Sequence, residues 1–209
     1  MNATAEPLHA PLERARRLGF LGPGPIEAQI THARGFLVAE AALAMTPARV
    51  ADLGTGGGVP GLVLAGCWPG AHVVLVESRA KRAEHLADAV AELGWEGRVE
   101  IAHERAEQAA HDLRYREQFN VVTARGFAAP APTAEIAAGF VRVGGVLVVS
   151  EPPEADPTRW PVEPLHALGF NAAERVEREG GHFVVLKKCA PVGKTVPRRP
   201  GRPEKRPLW

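Results

Sequence analysis

From residue 46 onward, short apolar runs alternate with amphipathic segments along the chain. Residues 72–77 contain four apolar side chains in succession, which is typical of a strand buried on both faces. Residues 79–93 instead place apolar side chains at helical spacing, with charged residues on the opposite face. This alternation predicts an α/β fold in which helices cover both faces of a mostly parallel sheet.

The same pattern predicts the order of the elements. Strands are expected at residues 49–53, 72–77, 98–102, 119–123, 146–150, 171–177 and 182–187. Helices are expected at residues 26–45, 59–67, 79–93, 133–141 and 159–168. The turn Glu179-Gly180-Gly181 is so short that it predicts an antiparallel hairpin at the end of a seven-stranded sheet. We interpret Gly144-Gly145 as a turn before the fifth strand, and the prolines of the C-terminal tail argue against a regular helix there.

Length and composition indicate one medium-sized domain with additions at its ends. The chain has 209 residues, of which 45% are hydrophobic, so it can bury a full core. We expect a helical extension over residues 1–45, a ligand-binding domain over 46–189 and a basic tail over 190–209. No apolar run reaches the roughly 18–20 residues that span a bilayer, and the N-terminal residues lack a signal-peptide core. A cytoplasmic protein without membrane contact is therefore expected, with its two cysteines reduced.

Positive charge is concentrated in the tail. Residues 190–209 contain six Lys or Arg residues and one acidic residue, whereas the whole chain has a net charge of only +1. A basic tail on an acidic body predicts a polyanionic partner, although a tail that merely aids solubility is the alternative. The candidate residues for contact with such a polyanion are Lys81, Arg82, Arg198, Arg199, Arg202, Lys205 and Arg206.

A glycine-rich loop follows the first predicted strand and reads Asp52-Leu53-Gly54-Thr55-Gly56-Gly57-Gly58. Glycines allow positive φ angles and close approach of a ligand, and the start of the next helix offers N–H groups. Two ligand classes use this arrangement. The spacing of Gly56, Gly58 and Gly61 satisfies the G-x-G-x-x-G pattern of dinucleotide-binding proteins. Methyltransferases use a related loop for the amino-acid and sugar parts of S-adenosylmethionine.

Three features favour S-adenosylmethionine. Asp52 can attract the ammonium and sulfonium charges of that ligand, whereas it would repel a pyrophosphate. The terminal hairpin is typical of methyltransferase sheets, and little sequence remains for the substrate domain of a dehydrogenase. Glu77, at the end of the second predicted strand, is expected to accept hydrogen bonds from ribose hydroxyls in either class.

Longer motifs resemble one family. The loop and its continuation Val59-Pro60-Gly61 resemble the Asp-x-Gly-Ser/Thr-Gly-x-Gly-Leu-Pro-Gly signature of the GidB family, also called RsmG. These bacterial methyltransferases modify N7 of a guanine in small-subunit (16S) ribosomal RNA. Residues 77–82 are similar to the family's Asp-Ser-x-x-Lys-Arg, 105–107 to its Arg-x-Glu, 123–128 to its Ser-Arg-Ala-x-Ala turn, and 197–208 to its Pro- and Arg-rich ending.

The resemblance implies a class I Rossmann-like methyltransferase fold with S-adenosylmethionine as cofactor. It implies cofactor contacts from Gly54, Val59, Ala106, Glu107 and Arg125. Each has a structural alternative: packing for Val59, a favourable helix-dipole position for Glu107, and a surface ion pair for Arg125. With the residues chosen above, the predicted cofactor-binding set is Asp52, Gly54, Thr55, Gly56, Gly58, Val59, Glu77, Ser78, Ala106, Glu107 and Arg125.

The chain departs from the family pattern at two places. A Trp-Asn element of the family's N-terminal region is absent from the sequence. After the fifth predicted strand the family has Leu-Lys-Gly, whereas this chain has Ser150-Glu151-Pro152. An acidic residue in place of the lysine is expected to weaken the attraction of RNA phosphates.

The predicted activity is direct in-line transfer of a methyl group to guanine N7 of 16S ribosomal RNA, or of the small ribosomal subunit. Because N7 has a lone pair and no proton, no catalytic base is expected, and no metal site is predicted. With RNA as the implied substrate, the seven basic residues named above are the candidate RNA-binding residues. Phe127 is a candidate surface for stacking an RNA base, with a place in the core as the alternative. A monomer is expected. Two other functions remain open: methylation of a small molecule or protein by a divergent paralogue, and a non-catalytic nucleotide- or NAD-binding module.

Overall fold

A computed structural model of the chain describes residues 6–209, in which one sheet organises the fold. Its strands are β1 (Arg49–Leu53), β2 (His72–Val76), β3 (Val99–Ala102), β4 (Phe119–Ala124), β5 (Val141–Glu151), β6 (Glu174–Arg178) and β7 (Gly181–Lys187). The seven strands lie in the order β3-β2-β1-β4-β5-β7-β6. β1 to β5 are parallel, and β7 is antiparallel to both β5 and β6. The predicted mostly parallel sheet with a terminal hairpin is therefore confirmed.

Helices cover both faces of this sheet. They are α1 (Glu6–Arg17), α2 (Ile26–Arg34), α3 (Val38–Leu43), α4 (Gly61–Cys67), α5 (Ala80–Glu92), α6 (Ala106–Ala109), α7 (Pro130–Ala138), α8 (Val162–Ala167) and α9 (Arg202–Lys205). Successive residues of a strand point to opposite faces. Val50 and Val73 accordingly belong to one apolar cluster, and their neighbours Ala51 and Val74 belong to the other.

The N-terminal helices contribute to the first of these clusters. Leu8 and Leu12 of α1 and Ile30 of α2 are almost fully buried in it. The described part of the N-terminal extension therefore packs on the central domain, and the exact boundary at residue 45 stays a prediction. Residues 1–5 of that extension lie outside the described part of the chain.

The single helix predicted over residues 26–45 is wrong in one respect, because it is interrupted. A short 3-10 helix, Gly35–Leu37, separates α2 from α3. A Cβ atom on Gly35 would lie 2.3 Å from the ring of Phe183 on β7. The aromatic ring fills the space that a side chain at residue 35 would need, so tertiary packing requires glycine at the point where the helix is interrupted.

The turn predicted at Gly144-Gly145 is also wrong, because both residues lie within β5. Gly144 has a φ of +83°, and the pairing of β4 with β5 changes register at this end of the strand. The N–H of Gly144 donates to the carbonyl of Lys188 at 2.8 Å, and the carbonyl of Gly145 accepts from the Lys188 N–H at 2.9 Å. The glycines therefore form an irregular, bulge-like segment that continues the sheet.

The tail contains one helical turn, α9, although its prolines argue against a regular helix. Pro203 lies in the first turn of this helix, where the missing N–H group of proline has no hydrogen bond to lose. The prediction against a helix was wrong here because it treated prolines as breakers regardless of their position. Within residues 6–209, no helix combines the length and apolar character needed to cross a membrane.

Candidate functional site

The predicted site residues follow strands that end at one edge of the sheet. Leu53, the last residue of β1, is paired with Val76 of β2 and with Ala124 of β4. The residues that come next along each strand therefore emerge side by side. Ligands of open parallel sheets bind at this carboxyl edge, beside the point where the strand order reverses.

Asp52 fixes the loop to the helix that follows it. The carboxylate is fully buried, and its Oδ2 accepts a hydrogen bond from the Gly61 N–H at 2.9 Å. Its Oδ1 accepts one from the Thr123 hydroxyl at 2.8 Å. Burial raises the pKa of this carboxyl to about 6, against the opposing effect of these bonds and of the Arg125 charge. Direct contact between Asp52 and a ligand ammonium group stays a prediction.

Glu77 fixes the same loop from the second strand. Its side chain is 4% exposed, and Oε2 accepts a hydrogen bond from the Gly56 N–H at 3.1 Å. Oε1 accepts one from the Arg79 N–H at 2.9 Å, and the Arg82 guanidinium lies 3.7 Å from Oε2. Because a carboxylate offers about four lone-pair sites, Glu77 can still accept from ribose hydroxyls.

Phe127 lies directly against the glycine loop. A Cβ atom on Gly54, which has a φ of +62°, would lie 2.6 Å from the Phe127 ring. Glycine is therefore required at this position both by the backbone conformation and by the space available. The ring lies at the border between the loop and the turn after β4.

Glu107 joins the tail to the turn after the third strand. Its Oε1 accepts hydrogen bonds from the Arg105 guanidinium and from the Gly201 N–H, each at 2.8 Å. Burial alone would raise the pKa of the Glu107 carboxyl, but these two hydrogen bonds hold it below its usual value. Glu204, in the helix that follows Gly201, lies at the same opening. No local sequence signal indicated this long-range contact.

These elements enclose a cleft of about 300 Å³. The predicted residues that line it are Gly54, Glu77, Ser78, Ala106 and Glu107. Residues that the prediction omitted also line it: Arg79, Arg105, Gly126, Phe127, Ile136 and Glu204, with Arg82 from the predicted RNA-binding set. The remaining predicted residues, Asp52, Thr55, Gly56, Gly58, Val59 and Arg125, do not line this cleft, and their contact with a cofactor stays a prediction.

The side chains of the cleft fit S-adenosylmethionine. The carboxylates of Glu77 and Glu107 are nearly buried and can accept hydrogen bonds from ribose hydroxyls or an adenine amino group. Phe127 and Ile136 supply apolar surface for a ring system. The volume of the cleft equals the lower end of the range for small-molecule sites, roughly 300 Å³. It can therefore hold the nucleoside part of this cofactor.

Hydrogen bonds attach the tail to the rest of the protein. Arg198 makes three hydrogen bonds to the buried carboxylate of Glu135, from its backbone N–H at 2.8 Å, Nε at 2.8 Å and Nη2 at 2.6 Å. Further along, the Trp209 indole donates to the carbonyl of Arg159 at 2.9 Å. Arg198 is therefore held by the protein itself, and a role for it in binding RNA stays a prediction.

The other predicted RNA-binding residues differ in exposure. Lys81, Arg199, Lys205 and Arg206 are exposed, and Arg202 is half-buried. Arg82 is also half-buried, beside the Glu77 carboxylate. Because α9 carries both Glu204 at the cleft and basic residues at the surface, part of this charge lies beside the cleft.

A second pocket, of about 170 Å³, lies at the ends of β4 and β5 and shares Gly126 and Phe127 with the cleft. Glu151 is on its wall, with a side chain that is 4% exposed. The Arg159 guanidinium lies 2.9 Å from Glu151 Oε1, and the Trp160 indole N–H donates to the same oxygen at 2.9 Å. The nearby cation offsets the repulsion of phosphate that we expected from Glu151.

Comparison with known proteins identifies the family. The family model described as rRNA small subunit methyltransferase G, GidB, matches residues 36–151. Ribosomal RNA small subunit methyltransferase G of Moorella thermoacetica is 37% identical over 176 residues, covering 80% of this chain and 72% of the relative. The chain belongs to the GidB family. The predicted family and the predicted class of enzyme, an S-adenosylmethionine-dependent methyltransferase, are thereby confirmed.

Solved structures agree on the fold. A putative O-methyltransferase from Klebsiella pneumoniae has a TM-score of 0.59 at 18% identity and covers 88% of this chain and 90% of its own. Cofactor-bound Rv0187 from MTB has a TM-score of 0.62 at 22% identity, and the match covers 88% of this chain and 91% of that protein. The GidB chain therefore has the predicted Rossmann-like methyltransferase fold.

Proposed function

We propose that this GidB-family protein methylates N7 of a guanine in 16S ribosomal RNA. The observation that carries the proposal is the position of α9. This helix lies beside the cofactor cleft through Glu204 and belongs to the tail that exposes Arg199, Lys205 and Arg206. A polyanion that binds these cations would lie next to the cofactor.

The reaction requires the cofactor's methyl group and guanine N7 to be positioned in line, without a catalytic acid or base. S-adenosylmethionine supplies an electrophilic methyl group on a sulfonium. With the cofactor bound, the lone pair of guanine N7 would form the new N–CH₃ bond as the C–S bond breaks, and the electrons of that bond would remain on the sulfur of the thioether product. The positive charge passes to the guanine ring, and no proton moves.

The protein's contribution is to hold both reactants in the right geometry and away from water. Glu77 and Glu107 would hold the nucleoside part of the cofactor. Phe127, which borders both the cleft and the second pocket, would help to orient the acceptor against the cofactor.

Labelled S-adenosylmethionine provides the direct test. Small ribosomal subunits and naked 16S RNA that lack the modification are incubated with the protein, and the labelled nucleotide is mapped. The proposal expects label at guanine N7 of a single site. Label on a protein or a small molecule, or none on either RNA substrate, would contradict it.

Charge variants can test the RNA-binding surface. Removal of the whole tail is a poor test, because Gly201 and Glu204 also help to form the cofactor cleft. The double variant Arg199→Glu and Arg206→Glu leaves these contacts in place. RNA affinity should fall, and the slope of log affinity against log salt should become shallower by about two, one for each lost phosphate contact.

Two exposed cations at the opposite edge of the sheet provide a matched control. Arg142 is at the start of β5, and Lys187 is paired with Val146 at that end. The double variant Arg142→Glu and Lys187→Glu carries the same change of charge far from the cleft. An equal loss of RNA affinity in both variants would show a nonspecific effect of net charge. It would contradict the proposal that the tail beside the cleft binds RNA.

The finer expectations follow from the same proposal. A methyltransferase of 16S RNA would work in the bacterial cytoplasm, where ribosomal subunits are assembled, and we infer that it acts as a monomer. Sedimentation at working concentration tests the second statement. A stable dimer would contradict it.

A further inference from the structure

The second pocket has the size and position of a site for one acceptor base. Its volume of about 170 Å³ is smaller than the roughly 300–1,000 Å³ of sites for drug-sized ligands. It shares Gly126 and Phe127 with the cofactor cleft. A planar ring in this pocket would therefore lie beside the cofactor, with the partly buried Phe127 ring in the wall that the pocket shares with the cleft.

Five residues with polar side-chain groups line this pocket, namely Thr133, Ser150, Glu151, Arg159 and Trp160, and Glu151 is the only carboxylate among them. The Trp160 indole N–H and the Arg159 guanidinium both approach Oε1, each at 2.9 Å. These two neighbours hold the carboxylate in a fixed orientation and engage one of its oxygens. Oε2 keeps its lone pairs for a ligand.

A carboxylate distinguishes the purines by their Watson–Crick edges. Guanine presents two adjacent donors, N1–H and the N2 amino group. Adenine presents an acceptor at N1, which a carboxylate oxygen would repel. Because the acceptor is charged, hydrogen bonds to it are stronger than those to a neutral group.

We propose that this pocket receives the acceptor guanine and that Glu151 Oε2 accepts hydrogen bonds from its N1–H and N2 amino group. This inference rests on the proposed function. It assigns to Glu151 the selection of the base and to Arg159 and Trp160 the positioning of the carboxylate.

Inosine provides the test, because it is guanosine without the N2 amino group. Methyl transfer is measured on small-subunit RNA that carries either guanosine or inosine at the mapped position. With the wild-type protein, kcat/KM for inosine should be lower by roughly 10-fold. In the variant Glu151→Gln, kcat/KM for guanosine should fall by a similar factor, and the preference for guanosine should shrink to about threefold or less. Its affinity for S-adenosylhomocysteine should be unchanged.

Glu154→Gln is the matched control. Glu154 is an exposed residue three positions along the same loop and does not line the pocket. This variant should keep the wild-type preference. Equal transfer to guanosine and inosine by the wild-type protein would overturn the inference without reliance on any variant. An equal fall for both RNAs in Glu151→Gln would overturn it as well, since that pattern indicates a merely structural role.

The experiment separates this inference from the proposed function. If the wild-type protein transfers no methyl group to the guanosine RNA, the proposed function fails and the inference falls with it. If transfer occurs without regard to the N2 amino group, only the assignment of the pocket fails.

Discussion

Glu107 accepts a hydrogen bond of 2.8 Å from the backbone of Gly201, which lies 94 positions further along the chain. The side chain that accepts this bond is 3% exposed and also lines the cleft that we propose for the cofactor. The cleft and the C-terminal tail are therefore parts of one structure. Whatever displaces the tail should also alter the cofactor site.

Glu107→Gln should weaken cofactor binding. The substitution removes the charge that strengthens the bonds from Arg105 and Gly201, and with it a charged acceptor for the ligand. We expect the Kd for S-adenosylhomocysteine to rise roughly 10-fold in calorimetry. Glu104→Gln, three positions earlier and outside the cleft lining, should leave it unchanged. An unaltered Kd in Glu107→Gln would exclude the carboxylate charge from cofactor binding.

Arg198→Ala should destabilise the fold. The substitution leaves Glu135, which is 1% exposed, buried without its cation. Loss of one partner of a buried pair costs about 3 kcal/mol, which denaturant unfolding would measure. The neighbouring exposed Arg199→Ala should change the free energy of unfolding by less than about 0.5 kcal/mol. Equal stability of the two variants would show that the Glu135 pair contributes little.

Gly54→Ala should impair the loop more than Gly126→Ala does. Both glycines have φ near +60°, so an alanine at either position is strained by roughly 1–2 kcal/mol. A Cβ atom at residue 54 would also meet the Phe127 ring at 2.6 Å, whereas one at residue 126 meets nothing within 4 Å. Unfolding and cofactor titrations of the pair would isolate the effect of this collision. Identical losses in the two variants would mean that Phe127 moves aside freely.

The Asp52 carboxyl should make stability depend on pH. Burial raises its pKa to about 6 from the usual 3.8, so in this range the folded state holds the proton more tightly than the unfolded state. The contribution of Asp52 to the free energy of unfolding should fall as the pH rises from about 4 to about 6, by at most about 1.4 kcal/mol per pH unit. Asp52→Asn cannot titrate. The difference in the free energy of unfolding between the wild-type protein and this variant should therefore change between about pH 4 and about pH 6. A constant difference would refute the raised pKa of Asp52.

The order of strands and helices was predictable because local patterns determine it. Four consecutive apolar residues in β2 and the helical spacing in α5 each identify an element without any tertiary information. The requirement for glycine at residue 35 was not predictable, because the Phe183 ring that fills the space comes from the other end of the chain.

The candidate site divides in the same way. The loop glycines and Glu77 could be chosen from their positions after strands. The contacts of Glu107 with Gly201 and of Arg198 with Glu135 depend on how the tail crosses the surface, and no spacing in the sequence encodes that path. The tail was therefore recognised by its charge and family motif, but its place in the wall of the cleft was not.

Two carboxylates hold the glycine loop, Glu77 at Gly56 in the middle of the loop and Asp52 at Gly61, where the next helix begins. A loop rich in glycine has the most conformational entropy to lose when it becomes ordered. Here the loop already loses this entropy when the protein folds. Ligand binding therefore does not have to order the loop. The amide hydrogens of Gly56 and Gly61 should accordingly exchange slowly with solvent in the ligand-free protein.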